Sequence, residues 1–275
     1  MKEKINHQSH VDRFLGFQEL YDANRPAAPA RVTELLTLYR GKTPELVVDV
    51  GCGTGLSTFV WNGIAARIIG VEPNPDMRMK AEEKLQRIGP DAAAVSFRPG
   101  YSNELELADG EADIITCSQS FHWMEPVSTL QEFGRVLAAG GVFGAYDCDW
   151  PPCIGWEAEQ AYNKLIARAA EILTHLVPPE EAVKQSDKSE HLAQMKKSGV
   201  FRFVKEIVFH NEEICNAERI VGMAMSQGGV QSVIKLGAAA ELHDELEQFR
   251  LLTEDAFRGG TRMVPLGYRL RLGVK

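Results

Sequence analysis

The chain has 275 residues, a formal net charge of −8 and a sequence pI of about 5.5. This acidic balance disfavours a nucleic-acid partner, because phosphate binding requires clustered Lys and Arg. No apolar run approaches the ~18 residues that a membrane helix needs, and "MKEKINHQSH" lacks an apolar signal core, so we expect a cytoplasmic protein without a membrane partner.

The five cysteines show no CxxC pair and no metal-ligand spacing. This pattern favours reduced thiols over disulfides or zinc, and we expect no metal site.

The first 45 residues predict a helical cap. Two helix-like segments lie within residues 11–40, on either side of "YDANRPAAP". Pro26 and Pro29 are placed to end the first segment and to start the second.

Strand and helix patterns alternate from residue 45 onward. Continuous apolar runs predict strands that are buried on both faces of a parallel sheet, with helices between them. The predicted strands span 45–50, 67–72, 94–100, 112–120 and 140–148, and the predicted helices span 56–66, 74–89 and 127–137.

The pattern changes after residue 149. Helices are predicted at 157–176, 216–226 and 240–258, an exposed connection at 178–190, and alternating strands at 201–210 and 265–275. We therefore divide one overall domain into a cap (1–45), a core (46–148), a helical specificity insertion (149–200) and the remainder of the sheet (201–275).

The sequence "VVDVGCGTGLST" (47–58) predicts a ligand-binding turn between a strand and a helix. Glycine permits positive φ and a close approach of the backbone to a ligand. A dinucleotide fingerprint would require glycine where Leu56 stands, and no Gly-Lys-Ser/Thr follows as in a P-loop. Glu72 ends the next strand, where a carboxylate can accept ribose hydroxyls, and Asp49 suits an ammonium group. A nucleoside joined to an amino acid, such as S-adenosylmethionine, meets both demands.

At this point the sequence resembles the class I S-adenosylmethionine-dependent methyltransferases, in particular their type 11 branch. The resemblance rests on "VVDVGCGTGLST", "IIGVEPNPDM", "PGYSNELELADGEADIITC" and "SQSFHWME", and covers residues 46–145. "YDANRPAAP" is similar to the element that precedes the domain in trans-aconitate methyltransferase-like proteins. The resemblance implies an α/β, Rossmann-like, mostly parallel seven-stranded sheet with helices on both faces, whose last strand, near 265–275, is antiparallel.

The resemblance also implies a cofactor site. The glycines would pack against the methionine part of S-adenosylmethionine, Asp49 would face its amino group, Glu72 would hold the ribose, and a lid would cover the site. Tyr101 replaces the family's usual carboxylate beside the adenine. The implied cofactor-binding residues are Tyr21, Arg25, Asp49, Gly51, Cys52, Gly53, Gly55, Glu72, Pro73, Met77, Tyr101, Ser102, Gln119 and Ser120.

The acceptor side is less defined by the sequence. His122 lies just past the fourth strand, where it could act as a general base or serve only as a structural residue. Trp123 and Trp150 are candidate walls of the substrate pocket, as is Trp156, and Arg25 could meet a substrate carboxylate.

We expect methyl transfer to a small molecule, with a weak preference for a carboxylate-bearing one. Three alternatives stay open at this stage: a cofactor-binding regulatory or scaffold protein without catalysis, an NAD-linked oxidoreductase, and a nucleic-acid methyltransferase. The sequence does not indicate an oligomeric state.

Overall fold

A computed structural model describes residues 15–179, 181 and 185–275. The start of the first predicted helix (11–14) and part of the predicted connection (180 and 182–184) lie outside the described residues, as does the amino-terminal part of the predicted cap.

The described residues contain one seven-stranded sheet, as expected. Neighbouring strands from β1 to β5 are parallel, whereas β7 is antiparallel to both β5 and β6. The strands are β1 (Leu46–Val50), β2 (Arg67–Val71), β3 (Val95–Arg98), β4 (Ala112–Ser118), β5 (Leu137–Cys148), β6 (Phe203–Cys215) and β7 (Arg262–Val274).

The strand order is β3-β2-β1-β4-β5-β7-β6. The chain starts in the middle of the sheet, adds strands toward one edge, and then returns to continue beyond β1 on the other side. The order reverses between β1 and β4, so a crevice forms at the carboxyl ends of these strands, where open α/β sheets bind their ligands. The glycine turn follows β1 directly and therefore lies at this crevice.

Helices surround the sheet, and some of them begin at a capping side chain. Asn74 caps one by accepting a hydrogen bond from the backbone amide of Met77, with Pro75 at its first position. Glu125 caps another through two backbone amides. The helices are α1 (Gln18–Asn24), α2 (Ala30–Arg40), α3 (Pro75–Ile88), α4 (Pro126–Val136), α5 (Trp156–Leu176), α6 (His191–Lys197), α7 (Ala217–Met225), α8 (Gly228–Lys235) and α9 (His243–Phe257).

Hydrophobic clusters cover both faces of the sheet, and a third lies between α5, α7, α8 and α9. In the third cluster α5 packs on α8 and α9. The segment that follows β5 and the helices that follow β6 thus share one core, which also buries the start of β7 through Val264.

The predicted helix at 56–66 is wrong. Only Phe59–Trp61 form a short 3₁₀ helix there. Gly55 and Gly63 adopt positive φ at the two ends of the segment, which an α-helix does not allow. The predictions also missed α6 and α8, and both strands of the β6–β7 pair are longer than their predicted ranges.

A buried ion pair joins α2 to the amino-terminal end of β4. The Asp113 carboxylate accepts hydrogen bonds from the Arg40 guanidinium at 2.6 and 2.9 Å and from the backbone amide of Glu45 at 2.7 Å. Burial alone would raise the pKa of Asp113, but the bonds from Arg40, Glu45 and Lys42 lower it. Asp113 therefore fixes the helix, the start of β1 and β4 relative to one another.

We predict that Asp113→Ala destabilises the protein by about 3 kcal/mol, because it leaves the Arg40 guanidinium without its buried partner. The free energy of unfolding in urea measures this change. Asp109→Ala is the matched control, since Asp109 pairs with Arg135 at the surface with its side chain 82% exposed, and such pairs contribute under about 1 kcal/mol. Equal effects of the two substitutions would show that the Asp113 pair does not support the fold.

Candidate functional site

The turn after β1 is built from three left-handed glycines. Gly51, Gly53 and Gly55 have φ of 69°, 55° and 82°. A Cβ at Gly51 would lie 2.6 Å from the Cβ of Ser120, and one at Gly55 would lie 2.8 Å from the ring of Phe59. A Cβ at Gly53 would meet no atom within 4 Å. The turn is therefore packed on two sides and open at Gly53.

Asp49 holds this turn from beneath. Its carboxylate is fully buried and accepts hydrogen bonds from the hydroxyls of Ser57 and Thr58 at 2.7 Å and of Thr116 at 2.8 Å. Burial raises the pKa of Asp49, and the three hydroxyl bonds oppose that rise. The structure directs the carboxylate to these hydroxyls inside the protein, so the expected contact with a ligand amine is not supported by its geometry.

Glu72 lies at the rim of the turn, at the end of β2. Its two carboxylate oxygens accept the backbone amides of Gly53 at 2.8 Å and of Asn74 at 2.9 Å. The residue is 8% exposed, and burial raises the pKa of its carboxyl to about 7 despite these bonds. Each oxygen has a second lone pair, so the carboxylate can still accept two hydroxyl groups of a ligand.

Helix α1 lies over the turn. Asp22 accepts the hydroxyl of Thr54 at 2.7 Å and the ammonium of Lys84 at 2.6 Å. Glu19 binds Lys80 on the same helix, α3, at 2.6 Å. The cap expected from the sequence is thus joined to the glycine turn through Asp22, a residue that the sequence analysis did not single out.

Arg25 links the cap to the helical layer. Its guanidinium donates to the hydroxyl and carbonyl oxygens of Ser226 and to the side chain of Gln227. It also lies 5.2 Å from the ring centre of Tyr21 and 4.7 Å from that of Trp150. Burial raises the pKa of Tyr21, Arg25 lowers it and Glu72 raises it further. These contacts occupy Arg25 within the protein, which argues against the expected bond to a substrate carboxylate.

The residues after β4 form the opposite wall of the crevice. Ser120 donates its hydroxyl to the carbonyl oxygen of Val50, immediately before the glycine turn. Gln119 adopts φ of 52°, a conformation that costs a non-glycine residue about 1–2 kcal/mol. Its side-chain oxygen accepts a hydrogen bond from Lys188 at 3.1 Å.

His122 and Trp123 follow on this wall. The two rings lie 4.7 Å apart between centroids, and His122 Nδ1 is 3.9 Å from the carboxylate of Asp147, at the end of β5. The ring of His191 stacks on that of His122 with 6.5 Å between centroids, and its Nδ1 is 3.8 Å from the second oxygen of Asp147. Burial lowers the pKa of His191 to about 4, so this imidazole is neutral at pH 7.

The other predicted residues lie around this centre at different depths. Cys52 and Met77 are buried, Pro73 is half-buried, and Ser102 bonds the hydroxyl of Thr129 at 2.7 Å. Tyr101 is exposed at the edge next to β3. Trp156 is 73% exposed at the start of α5 and does not contribute a wall of this site.

Sequence reasoning missed a charged cavity beside the crevice. Its volume is about 440 Å³, and it lies at the carboxyl end of β5 against the β6–β7 pair. The sequence signals were weak: Asp147 and Asp149 lie at the end of a buried strand, and Arg269 and Arg271 alternate along the last strand. The lining residues are Asp147, Cys148, Asp149, Trp150, Lys188, Ser189, Glu206, Arg269 and Arg271.

The described residues contain neither a membrane-spanning helix nor a cluster of metal-ligating side chains. No helix in 15–179 and 185–275 is long and apolar enough to cross a membrane. Within those same residues, no three His, Cys, Asp or Glu side chains are grouped so as to hold a metal ion.

Comparison with known proteins matches residues 48–145 to a family model described as a methyltransferase domain. The "Probable S-adenosylmethionine-dependent methyltransferase CRG1" of Saccharomyces cerevisiae is 25% identical over 52% of this chain and 50% of its own length. An uncharacterized methyltransferase of Schizosaccharomyces pombe is 30% identical over 50% of this chain and 52% of its own. The chain thus spans about half the length of these curated relatives.

Solved structures share the fold across nearly the whole chain. A candidate type II methyltransferase from Anaeromyxobacter dehalogenans superposes with a TM-score of 0.65 at 18% identity, covering 91% of this chain and 97% of its own. The [4+2]-cyclase SpnF superposes with a TM-score of 0.57 at 16% identity, covering 98% and 96%. At these identities the likeness concerns the fold alone. The part of the chain that matches a known family is therefore residues 48–145, and the match is to a methyltransferase domain.

Proposed function

We propose that the chain is an S-adenosylmethionine-dependent methyltransferase that acts on a small-molecule acceptor. The observation that carries this proposal is the glycine turn, open at Gly53, with the buried carboxylate of Glu72 at its rim. The relatives named as methyltransferases support it.

The residues present fit the cofactor. The open face at Gly53 leaves room for the methionine part, and the free lone pairs of Glu72 suit the two ribose hydroxyls. Pro73 and Met77 lie next along the chain on the adenine side, and Tyr21 on α1 covers the site. When bound, the sulfonium supplies an activated methyl group. The protein must then place a nucleophile in line and exclude water.

The acceptor lies beyond Gln119 and His122 in this proposal, with Trp123 and Trp150 as its apolar walls. His122 accepts a proton from the acceptor where the nucleophile is a protonated hydroxyl or amine, and the nearby carboxylate of Asp147 stabilises the imidazolium that forms. A carboxylate-bearing acceptor, as in the trans-aconitate methyltransferase-like proteins, is part of the proposal.

Calorimetric titration with S-adenosylhomocysteine, run beside NADH, tests the cofactor. We expect micromolar binding of the first and none of the second. Binding of NADH alone would replace the proposal with an oxidoreductase. Binding of S-adenosylhomocysteine without turnover of any acceptor would indicate a regulatory protein, an outcome that the fold shared with a cyclase makes worth testing.

We predict that Gly53→Ala weakens S-adenosylhomocysteine binding more than tenfold, because the new Cβ enters the open face of the turn. Gly63→Ala is the matched control: Gly63 also has positive φ, and its Cβ would also meet no atom within 4 Å. Both variants should lose about 1–2 kcal/mol of stability from the left-handed conformation, but only the first should lose affinity. Titration and urea unfolding separate the two effects. Equal affinities would remove Gly53 from the site.

We also predict that S-adenosylhomocysteine affinity rises with pH through about 7, the pKa of Glu72. The ionised carboxylate accepts both ribose hydroxyls, whereas the protonated acid does not. Only about a tenth of the protein is ionised one pH unit below the pKa, so affinity should rise severalfold between pH 6 and 8. Glu72→Gln should bind at least tenfold more weakly at pH 8 and retain only the pH dependence of the ligand. An identical pH profile in the variant would refute this role.

For His122→Ala we expect nearly unchanged S-adenosylhomocysteine affinity and a turnover reduced 10²-fold or more, in the range that general bases supply. Single-turnover methyl transfer to an acceptor found by screening measures the second effect. Turnover equal to that of the wild type would leave His122 a structural residue.

A further inference from the structure

The cavity between β5 and the β6–β7 pair carries more hydrogen-bond donors than the protein uses. Arg269 and Arg271 are two residues apart on β7, so both lie on the same face of the sheet. Both line the cavity. Their neighbours across the strands, Asp147 and Glu206, lie on this face as well.

Arg271 is a buried part of this site. The residue is 4% exposed, and its guanidinium donates to Glu206 at 2.8 Å through Nε and to Asp147 at 3.0 Å through Nη1. Its Nη2 makes no hydrogen bond to any described residue. It is also not one of the solvent-inaccessible side-chain atoms without a partner. This nitrogen is therefore accessible from the cavity that Arg271 lines.

Arg269 adds the second guanidinium. Its Nε donates to both oxygens of Asp149 at 3.1 Å. Its Nη1 is 3.9 Å from Glu206, beyond hydrogen-bond distance, and neither terminal nitrogen donates a bond within the described part of the chain. The side chain is 43% exposed, so these donors are open to a ligand.

The cavity's carboxylates are more fully engaged than its cations. Asp147 accepts Lys188 at 2.8 Å on one oxygen and Arg271 on the other. Asp149 accepts Arg269 on both oxygens. The donors that remain belong to two adjacent guanidinium groups, whose planar geometry suits a carboxylate.

The cavity also adjoins the proposed methyl-transfer edge. Lys188 bonds both Asp147 in the cavity and Gln119 at the end of β4. Trp150 supplies an apolar wall. A volume of about 440 Å³ fits a small organic molecule.

We propose that Arg269 and Arg271 bind the carboxylate of the methyl acceptor, so that the substrate class is small organic acids. The carboxylate occupies the cavity, and the remainder of the acceptor extends past Lys188 toward Gln119 and the glycine turn. This inference rests on the proposed function for its meaning as an acceptor site, but carboxylate binding can be measured independently of methyl transfer.

Succinate is the probe, titrated calorimetrically at low ionic strength into the full chain, with and without S-adenosylhomocysteine. Its neutral diamide and inorganic phosphate are titrated beside it. We expect succinate to bind, the diamide to bind at least tenfold more weakly, and phosphate to bind more weakly than succinate. If succinate binds and S-adenosylhomocysteine does not, the methyltransferase proposal is refuted and the carboxylate site stands.

Three variants sharpen the test. Arg269→Gln should weaken succinate binding about tenfold or more. Arg269→Lys should recover part of the lost affinity, because it restores the positive charge without the planar pair of guanidinium donors. Glu206→Gln should strengthen binding severalfold, because it removes the negative charge that competes for both guanidinium groups. A gain of binding requires a folded protein.

Lys205→Gln is the control, since it removes a positive charge from the same pair of strands on the opposite face. Its succinate affinity should stay within about twofold of the wild type. The proposal is overturned if succinate does not bind, if the diamide binds equally, if phosphate binds more tightly, or if Arg269→Gln and Lys205→Gln have the same effect.

Discussion

The fully buried carboxylate of Asp49 is the constraint on which the crevice depends. A charge inside a parallel sheet is tolerated only where hydrogen bonds replace water. Three hydroxyls supply these bonds, and they come from β4 and from the segment after the glycine turn. One side chain on β1 therefore fixes the neighbouring strand and draws Ser57 and Thr58 inward. This is also why residues 56–66 do not form the predicted helix: the hydroxyls face the sheet, and the flanking glycines turn the backbone away from helical φ.

Three carboxylates at this edge of the sheet illustrate how environment assigns different tasks to one functional group. Asp49 is enclosed by hydroxyls and organises the turn. Glu72 bonds two backbone amides and keeps lone pairs at the rim, with its pKa raised to about 7 by burial. Asp147 instead faces two cations and two imidazoles. The number and kind of hydrogen-bond donors around each carboxylate, more than its place in the sequence, decide its task. It either supports the turn, stays available to a ligand or balances positive charge.

The sheet was predictable because its strands leave an unmistakable pattern. Runs such as "ELVVDV" and "ADIITCSQS" are buried on both faces, and apolar continuity records that burial directly. The proximity of the glycine turn and Glu72 was predictable for a related reason: they lie within 25 residues of one another, on consecutive elements. Helices α6 and α8 escaped prediction because they are short and take their stability from packing, which local sequence does not record.

The charged cavity could not be assembled from the sequence, because its parts are distant along the chain. Asp147 and Arg271 are 124 residues apart, and only the antiparallel pairing of β5 with β7 brings them within 3.0 Å. Arg25 shows the same limit in reverse: its sequence context suggested a ligand contact, but residues 201 and 202 positions away occupy its guanidinium. That guanidinium also lies on Trp150, a wall of the charged cavity, while Asp22 on the same helix bonds Thr54 in the glycine turn. Helix α1 and the residue that follows it thus contact both the glycine turn and a wall of the charged cavity, so the geometry of the turn and of the cavity depends on the same short element.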